Sequence, residues 1–134
     1  LFAACARFEV VVFTASKRVY ADRLLDLMGF RGGRLFREHC VFYQGAFLKD
    51  LEILGRNLAR TVIVDNSPHV FSLQVRNGIP IESYFAAPHQ CNDRELLSLL
   101  SMLEHLAGVE DVRVFLHRQF DLESRITQRV KSLI

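Results

Sequence analysis

Two short apolar runs constrain the fold of this chain more than any other feature of its sequence. They are residues 8–13 (FEVVVF) and 61–64 (TVIV), both rich in β-branched side chains and both followed directly by polar residues. Such runs are typical of strands that are covered on both faces of a sheet. Between them, residues 17–28 carry apolar side chains at helical spacing, with Ser16 as the expected N-cap and Gly29 as the expected stop. Strands that alternate with helices indicate an α/β domain with a mostly parallel sheet.

Turn residues and helical periodicity predict the remaining elements. Gln44-Gly45 joins two short apolar segments, which indicates a small β-hairpin. Asn92-x-x-Glu95 resembles a capping box at the start of a leucine-rich amphipathic helix. We therefore expect a hairpin over 41–48, a short edge strand over 79–81, helices over 92–106 and 112–120, and a basic amphipathic tail over 125–134.

The amino-acid composition excludes several classes of protein. The chain has 134 residues, of which 50% are hydrophobic and 24% are charged, so it can bury a core and is not disordered. Seventeen basic and fifteen acidic residues give a net charge of +2, which is too balanced to indicate direct nucleic-acid binding. No apolar run approaches the ~20 residues that a membrane helix needs. Three widely spaced cysteines argue for reduced thiols inside the cell and against a zinc site.

Polar side chains follow both predicted strands at the edge where a parallel sheet binds ligands. After the first strand, residues 14–16 (TAS) offer a hydroxyl and successive backbone N–H groups, which can bind a phosphate. After the second strand, residues 65–66 (DN) offer oxygen ligands of the kind that Mg²⁺ prefers. Lys49 adds a positive charge. Singly, these features are equally typical of a helix cap, a turn and a surface lysine, but together they predict a cation-assisted phosphoryl-transfer site.

Five sequence segments occur in a recognisable order. They are residues 13–16 (FTAS) with 20–22 (YAD), then 35–40 (LFREHC), 49–51 (KDL), 65–68 (DNSP) and 77–83 (NGIPIES). This order resembles the NLI-interacting-factor phosphatases of the haloacid dehalogenase superfamily over about residues 7–120. The resemblance implies a haloacid-dehalogenase-like three-layer αβα fold with a parallel sheet and a small β-hairpin insertion. It also implies that the phosphatase domain extends over residues 1–122 and that a basic helical tail covers 123–134.

The function that the resemblance implies is magnesium-dependent removal of phosphate from phosphoserine or phosphothreonine in proteins. The best-known substrates of such phosphatases are the carboxy-terminal repeats of RNA polymerase II. In the implied mechanism, an aspartate attacks the phosphoryl group, a second aspartate protonates the leaving oxygen, and water hydrolyses the aspartyl phosphate. These steps need positioning and charge neutralisation more than other chemistry.

The resemblance also implies roles for individual side chains. The hydroxyl and the lysine would contact the phosphoryl oxygens, the arginine would reach the substrate phosphate, and an exposed aromatic ring would line the substrate groove. The amide would ligate Mg²⁺, with the neighbouring carboxylate holding the metal and its waters. The expected site residues are Thr14 and Lys49 (catalytic), Ser16, Tyr20 and Arg37 (substrate-binding), and Asp65 and Asn66 (metal-binding). We expect Lys49 and Asn66 to lie at the sheet edge rather than in the core.

One family motif is not found before Thr14. In the family, a D-x-D-x-T strand that carries the nucleophile and the acid precedes the FTAS segment, whereas Glu9 is the only acid among the residues before Thr14 here. We therefore expect a chain that begins inside a longer protein, lacks the first, central strand of the sheet, and is inactive by itself. Residues 10–13 would then pair directly with 62–64, recruit a strand from another chain, or aggregate through exposed edges, and a structure would show one of the first two or a gap.

Two other functions are compatible with the same residues. The first is a catalytically inactive module that keeps the fold and binds phosphorylated proteins. The second is a receiver-like domain in which an aspartate accepts phosphate, which is disfavoured because the threonine motif precedes the aspartate here. In the phosphatase and the binding module, the partner is a phosphorylated protein or peptide. The resemblance favours the nucleus or cytoplasm as the location.

Overall fold

A computed structural model describes residues 1–133 of the chain. The chain divides into two compact units, Leu1–Asp50 and the residues from Leu51 onward, and each unit combines helices with short strands. The predicted α/β class is therefore confirmed. The strands are β1 (Val11–Phe13), β2 (Gly33–Leu35), β3 (Val41–Tyr43), β4 (Ala46–Leu48), β5 (Ile63–Asp65) and β6 (Gly78–Pro80). The α-helices are α1 (Phe2–Cys5), α2 (Arg18–Leu27), α3 (Glu95–Leu106), α4 (Val112–Phe120) and α5 (Leu122–Leu133).

In the first unit, β1 and β2 form a parallel pair that is connected by α2. Sequence reasoning did not predict β2, because Gly-Arg-Leu has neither an apolar run nor an alternation. Tertiary contacts of Arg34 hold it: the guanidinium forms ion pairs with Asp22 (3.0 Å) and Asp26 (2.9 Å) of α2 and donates to the carbonyl of Phe30 (2.7 Å). The Asp22 side chain is the main reason that the pKa of Arg34 is raised.

Helix α2 was predicted in the right place but with the wrong cap. Its N-cap residue is Lys17, which makes no side-chain hydrogen bond to the helix, and not Ser16. The carbonyl of Ser16 instead accepts the backbone N–H of Arg37 at 3.1 Å. At the other end, the helix stops before Gly29, whose φ of 73° is a left-handed conformation that favours glycine.

The predicted hairpin is confirmed. Strands β3 and β4 pair antiparallel, and both connecting residues have positive φ, 48° at Gln44 and 79° at Gly45. Two consecutive positive φ values define the type I′ turn, whose twist matches that of the strands it joins. Phe42 and Phe47 lie directly opposite each other across the pair, with ring centroids 5.0 Å apart.

In the second unit, β5 and β6 form the other parallel pair, linked by a 3₁₀ segment over Pro68–Asn77. The close approach of this segment to β6 requires glycine at position 78, because a Cβ there would lie 2.0 Å from the fully buried ring of Phe71. Two apolar clusters form the core of the unit. They contain Leu51, Ile63, Phe71 and Leu122 in one case and Ile79, Leu106, Val112 and Leu116 in the other.

The helices of the second unit agree with the predicted periodicity, with one correction at a cap. The capping box expected at Asn92 does not form, since Asp93 accepts the N–H of Glu95 (2.7 Å) and the N-cap Arg94 has no side-chain cap bond. Helix α5 begins at Leu122, three residues before the amphipathic tail that periodicity predicts over 125–134. Ile134 lies outside the described residues. The domain boundary at 122 stays a prediction.

The described strands pair two by two, and the mostly parallel sheet with a missing central strand stays a prediction. Within residues 1–133, the strands form three two-stranded sheets, β1-β2, β3-β4 and β5-β6. Direct pairing of residues 10–13 with 62–64 is therefore wrong for this part of the chain. Strands β1 and β5 each have their hydrogen-bonded partner within their own unit. None of the described helices combines the length and the apolar character that crossing a membrane requires.

Candidate functional site

The carboxyl end of β1 is a tight turn held by Thr14. Its backbone N–H donates to the carbonyl of Leu35 (2.9 Å), which extends the β1-β2 ladder by one residue. Its hydroxyl Oγ1 accepts the backbone N–H of Ser16 at 3.0 Å. A hydroxyl that accepts one hydrogen bond still has its own proton to donate. Thr14 can therefore donate a hydrogen bond to an anionic oxygen, which is the property that its predicted role requires.

Arg37 is fixed against the same turn. Its backbone N–H donates to the carbonyl of Ser16 (3.1 Å), and its side-chain Nε donates to the carbonyl of Ala15 (2.7 Å). The guanidinium carbon lies 4.9 Å from the centroid of the Phe47 ring, within the range of a cation–π contact. The structure thus brings together three of the predicted residues, Thr14, Ser16 and Arg37.

Lys49 lies directly after β4 and is only 9% exposed. The expectation that it lies outside the core is therefore wrong, and a buried ammonium group is retained in proteins only with compensating polar or charged neighbours. Lys49 and Arg37 both act electrostatically on Cys40, whose sulfur lies 4.0 Å from the carbonyl oxygen of Thr14. Burial nevertheless raises the pKa of the Cys40 thiol, against the opposing effect of these two cations. Two positive charges are thus concentrated near the Thr14 turn.

Tyr20 projects from α2 and is 66% exposed, as a residue that lines an open groove must be. A second arginine of the first unit, Arg18, makes different contacts. It also lies over an aromatic ring, 4.5 Å from the centroid of Phe36, but its guanidinium is paired with the carboxylate of Glu38. Arg18 is therefore already neutralised, whereas Arg37 is held by a carbonyl and a ring.

The carboxyl end of β5 is a second tight turn, held by Asp65. Its Oδ1 accepts the backbone N–H of Ser67 at 2.9 Å. The exposed Asn66 donates from Nδ2 to the hydroxyl of Ser83 (2.8 Å), and its Oδ1 lies 3.5 Å from the hydroxyl of Ser67. Because the amide nitrogen is engaged by Ser83, the orientation of the Asn66 carbonyl oxygen is fixed, and this oxygen keeps a lone pair for a cation. Asn66 lies outside the core, as we expected.

The donor atoms of this turn suit magnesium. Asp65 and Asn66 offer a carboxylate and an amide oxygen, and Mg²⁺ is commonly bound by one or two protein oxygens with several retained waters. Among residues 1–133, no group of three or more histidine, cysteine, aspartate or glutamate side chains is arranged to hold a metal ion. The chemistry therefore fits Mg²⁺, and the described residues provide part of a coordination sphere.

The predicted site residues fall into two groups. Five of them, Thr14, Ser16, Tyr20, Arg37 and Lys49, lie in the first unit, and two, Asp65 and Asn66, lie in the second. Sequence reasoning gave no role to Ser83 or Phe47, which contact Asn66 and Arg37. Ser83 could have been predicted from the parallel pairing of β5 with β6. The residues that follow two neighbouring parallel strands lie at the same edge of the sheet, which is where Asn66 and Ser83 meet. Phe47 could be found only from the hairpin register.

Comparison with known proteins identifies the class. The family model described as NLI interacting factor-like phosphatase matches residues 1–113, so the chain belongs to this family, and the resemblance seen in its motifs is confirmed.

Individual relatives are similar over most of this chain. CTD small phosphatase-like protein 2 of Dictyostelium discoideum is 49% identical over 124 residues, which are 90% of this chain and 21% of the relative. CTD small phosphatase-like protein 3 of Caenorhabditis elegans is 48% identical over 89% of this chain and 42% of its own length. The human carboxy-terminal domain RNA polymerase II polypeptide A small phosphatase 2 is 47% identical over 78% of this chain and 39% of its own. The chain thus spans between about a fifth and two fifths of these relatives.

Proposed function

We propose that the protein containing these residues is a magnesium-dependent phosphatase that removes phosphate from phosphoserine or phosphothreonine in other proteins. Family membership supports hydrolysis of protein phosphates. The name of the human relative points to the carboxy-terminal domain of RNA polymerase II as a substrate of this type. The observation that carries the proposal is the Thr14 turn, whose hydroxyl proton is available and whose Ala15 carbonyl holds Arg37 at 2.7 Å.

In the proposed reaction, the residues of the first unit bind the phosphoryl group. Thr14 donates a hydrogen bond to a phosphoryl oxygen, and Lys49 neutralises the charge that these oxygens carry. Arg37 binds the substrate phosphate with its guanidinium, while Ser16 and Tyr20 contact the substrate. Fixed donors and cations stabilise the transition state of phosphoryl transfer because its charge is spread over the equatorial oxygens.

The residues of the second unit hold the metal in this proposal. Asn66 ligates Mg²⁺ with its amide oxygen, and Asp65 holds the ion and its waters. When bound, such an ion would supply positive charge of the kind that phosphoryl transfer requires. The oxygen donors of both side chains and the fixing of the Asn66 amide by Ser83 support this assignment.

The nucleophile of the proposed reaction is an aspartate of the D-x-D-x-T motif in the full-length protein. It attacks the phosphoryl group while the second aspartate of the motif protonates the departing serine or threonine oxygen, and water then hydrolyses the aspartyl phosphate. The strand that carries both aspartates completes the sheet of a three-layer αβα fold. No aspartate precedes Thr14 here, and the one glutamate there, Glu9, is exposed. Loss of a covalent catalytic group removes orders of magnitude in rate. We therefore propose that the 134 residues alone have negligible turnover.

The test compares the full-length protein with the isolated 134-residue chain on a phosphoserine peptide, with and without Mg²⁺. We expect turnover by the full-length protein that EDTA abolishes and that Lys49→Ala removes without unfolding it. Activity that persists in EDTA would overturn the metal assignment. Magnesium-dependent turnover by the isolated chain would overturn the assignment of the nucleophile.

A non-catalytic phosphoprotein-binding module is the second candidate. It is supported by one observation, which is that Thr14, Ser16 and Arg37 are assembled within the first unit by their own hydrogen bonds. Such a module would bind a phosphopeptide in a Thr14-dependent manner, while the full-length protein would release no phosphate from it.

A further inference from the structure

We propose that Phe47 is a positioning residue that fixes the guanidinium of Arg37 for binding the substrate phosphate. The inference rests on the proposed function, since it concerns how the phosphate-binding arginine is held. It adds a residue of the hairpin to the site, where neither the motifs nor the comparisons place one.

Three contacts determine where the Arg37 side chain lies. The backbone N–H is bonded to the carbonyl of Ser16 (3.1 Å), the Nε is bonded to the carbonyl of Ala15 (2.7 Å), and one face of the guanidinium lies against the ring of Phe47 (4.9 Å to the centroid). Within residues 1–133, the two terminal Nη groups make no further hydrogen bond with protein atoms. They form the planar fork that binds a phosphate with two hydrogen bonds.

Phe47 is itself held in place by the hairpin. It is the central residue of β4, and its ring packs on the ring of Phe42, the residue directly opposite on β3 (centroids 5.0 Å apart). Phe42 is 65% exposed, whereas Phe47 is half-buried between its two neighbours. An arginine that stacks on a fixed ring loses less rotamer freedom when it binds an anion than one that is free in solvent.

Arg18 provides an internal contrast. Its guanidinium also lies over a phenylalanine, Phe36, but its Nε donates to the carboxylate of Glu38 at 2.8 Å. An arginine already bound to a carboxylate has lost the donors that a phosphate would need. Ring stacking is thus common to both arginines, and the donors left for an anion distinguish Arg37.

The test uses the full-length protein, four single variants, and the double variant that combines Phe47→Leu with Arg37→Ala. Phe47→Leu removes the ring and keeps apolar volume, and Phe47→Tyr keeps the ring. Tyr43→Leu is the matched control, because Tyr43 is an exposed ring on the opposite face of the same hairpin. Arg37→Ala removes the arginine itself. For each variant, we would measure kcat and KM on a phosphoserine peptide, the affinity for inorganic phosphate by calorimetry, and Tm.

We expect Phe47→Leu to raise KM and weaken phosphate binding by about tenfold with little change in kcat, since it alters binding and not the chemical step. Phe47→Tyr should keep both values near those of the wild type, and Tyr43→Leu should change them by less than about twofold. Combining Phe47→Leu with Arg37→Ala should have no effect beyond that of Arg37→Ala alone, because both changes act through one group. The comparison of the double variant with Arg37→Ala remains informative even if Phe47→Leu lowers Tm.

Two results would overturn the inference. One is that Phe47→Leu leaves the phosphate affinity unchanged while Arg37→Ala abolishes it. The other is that the effects of the two substitutions on phosphate affinity are fully additive in the double variant. Either result leaves the proposed function intact. A wild-type protein that neither binds phosphate nor hydrolyses the peptide overturns the proposed function instead, so the two failures are distinguishable.

Discussion

The carboxyl ends of β1 and β5 are built alike but suit ligands of opposite charge. In both, an oxygen of the first polar side chain accepts the backbone N–H of a serine two residues later: Thr14 from Ser16 (3.0 Å) and Asp65 from Ser67 (2.9 Å). Both turns therefore use the same i to i+2 hydrogen bond between side chain and backbone. The two segments, FTAS and VDNS, share this spacing in the sequence.

The difference lies in the accepting group. The hydroxyl of Thr14 keeps a proton that it can donate, so this turn suits an anion. The ionised carboxylate of Asp65 only accepts, so the second turn suits a cation. The same hydrogen-bonded turn thus suits an anion in the first unit and a cation in the second, and the polar residue that follows the strand decides which.

The largest expected effect is that of Thr14→Asp, which replaces the hydroxyl of the first turn by a carboxylate like that of Asp65 in the second. Thr14→Asp keeps an oxygen that can accept the N–H of Ser16 but removes the donated proton and adds a negative charge. We expect kcat/KM of the full-length protein to fall by about 10³ or more, because a donor to the phosphoryl oxygens becomes a repelling charge. Steady-state kinetics measures kcat/KM, and thermal unfolding measures Tm.

Thr14→Ser is the control for this change, since serine keeps both the acceptor and the proton, and it should keep most of the activity. Near-normal kcat/KM in Thr14→Asp would show that the hydroxyl has no role in phosphate binding. A large drop in Tm with Thr14→Asp would show that the two turns are not interchangeable.

A smaller effect is expected at the second turn from Asn66→Ala. The side chain is exposed, so its removal should leave Tm almost unchanged while kcat at fixed Mg²⁺ falls by about 10²-fold. Asn66→Asp, which keeps an oxygen ligand, is the matched variant and should retain magnesium-dependent turnover. If Asn66→Ala lowered Tm but not kcat, this residue would be structural.

Ser83→Ala tests how the Asn66 amide is oriented. Loss of the 2.8 Å hydrogen bond from Nδ2 of Asn66 frees the amide to rotate. We therefore expect the Mg²⁺ concentration for half-maximal activity to rise about tenfold, which is typical when a residue that orients a metal ligand is removed. Binding of Mn²⁺ measured by electron paramagnetic resonance gives a readout that is independent of turnover. Ser72→Ala, an exposed serine of the same unit, is the control. Unchanged Mn²⁺ affinity in Ser83→Ala would remove Ser83 from the metal site.

An effect of similar size is expected on the interior side of the first turn. Cys40 lies under the Thr14 carbonyl, and burial raises the pKa of its thiol, so less of it is the reactive thiolate at pH 8. Cys5 and Cys91 are exposed. Iodoacetamide should therefore label Cys40 about tenfold more slowly than the other two, as followed by peptide mass spectrometry. Equal rates would mean that the turn is open on this side.

Sequence reasoning predicted the parts of the molecule that depend on local pattern. Helix α4 and the type I′ hairpin were predicted correctly, because periodicity and the Gln44-Gly45 pair act over a few residues. Strand β2 was missed, since it depends on the tertiary contacts of Arg34 with α2.

The same distinction applies to the candidate site. Motifs indicated Thr14 and Asn66, whereas Phe47 and Ser83 were not assigned roles, since their partners are distant in sequence or defined by strand register. The burial of Lys49 could not be predicted either, because burial is a property of packing.

The hairpin has a consequence for the order in which the molecule folds. Its strands pair residues that are at most seven positions apart, from Val41 with Leu48 to Tyr43 with Ala46. Such contacts close a short loop and form within about 1–10 μs, before pairings between distant segments are established. The ring of Phe47 is thus in place early, and the segment around Arg37 docks onto a surface that already exists. A slow step in refolding would then belong to the parallel pairs β1-β2 and β5-β6, whose partners lie farther apart along the chain.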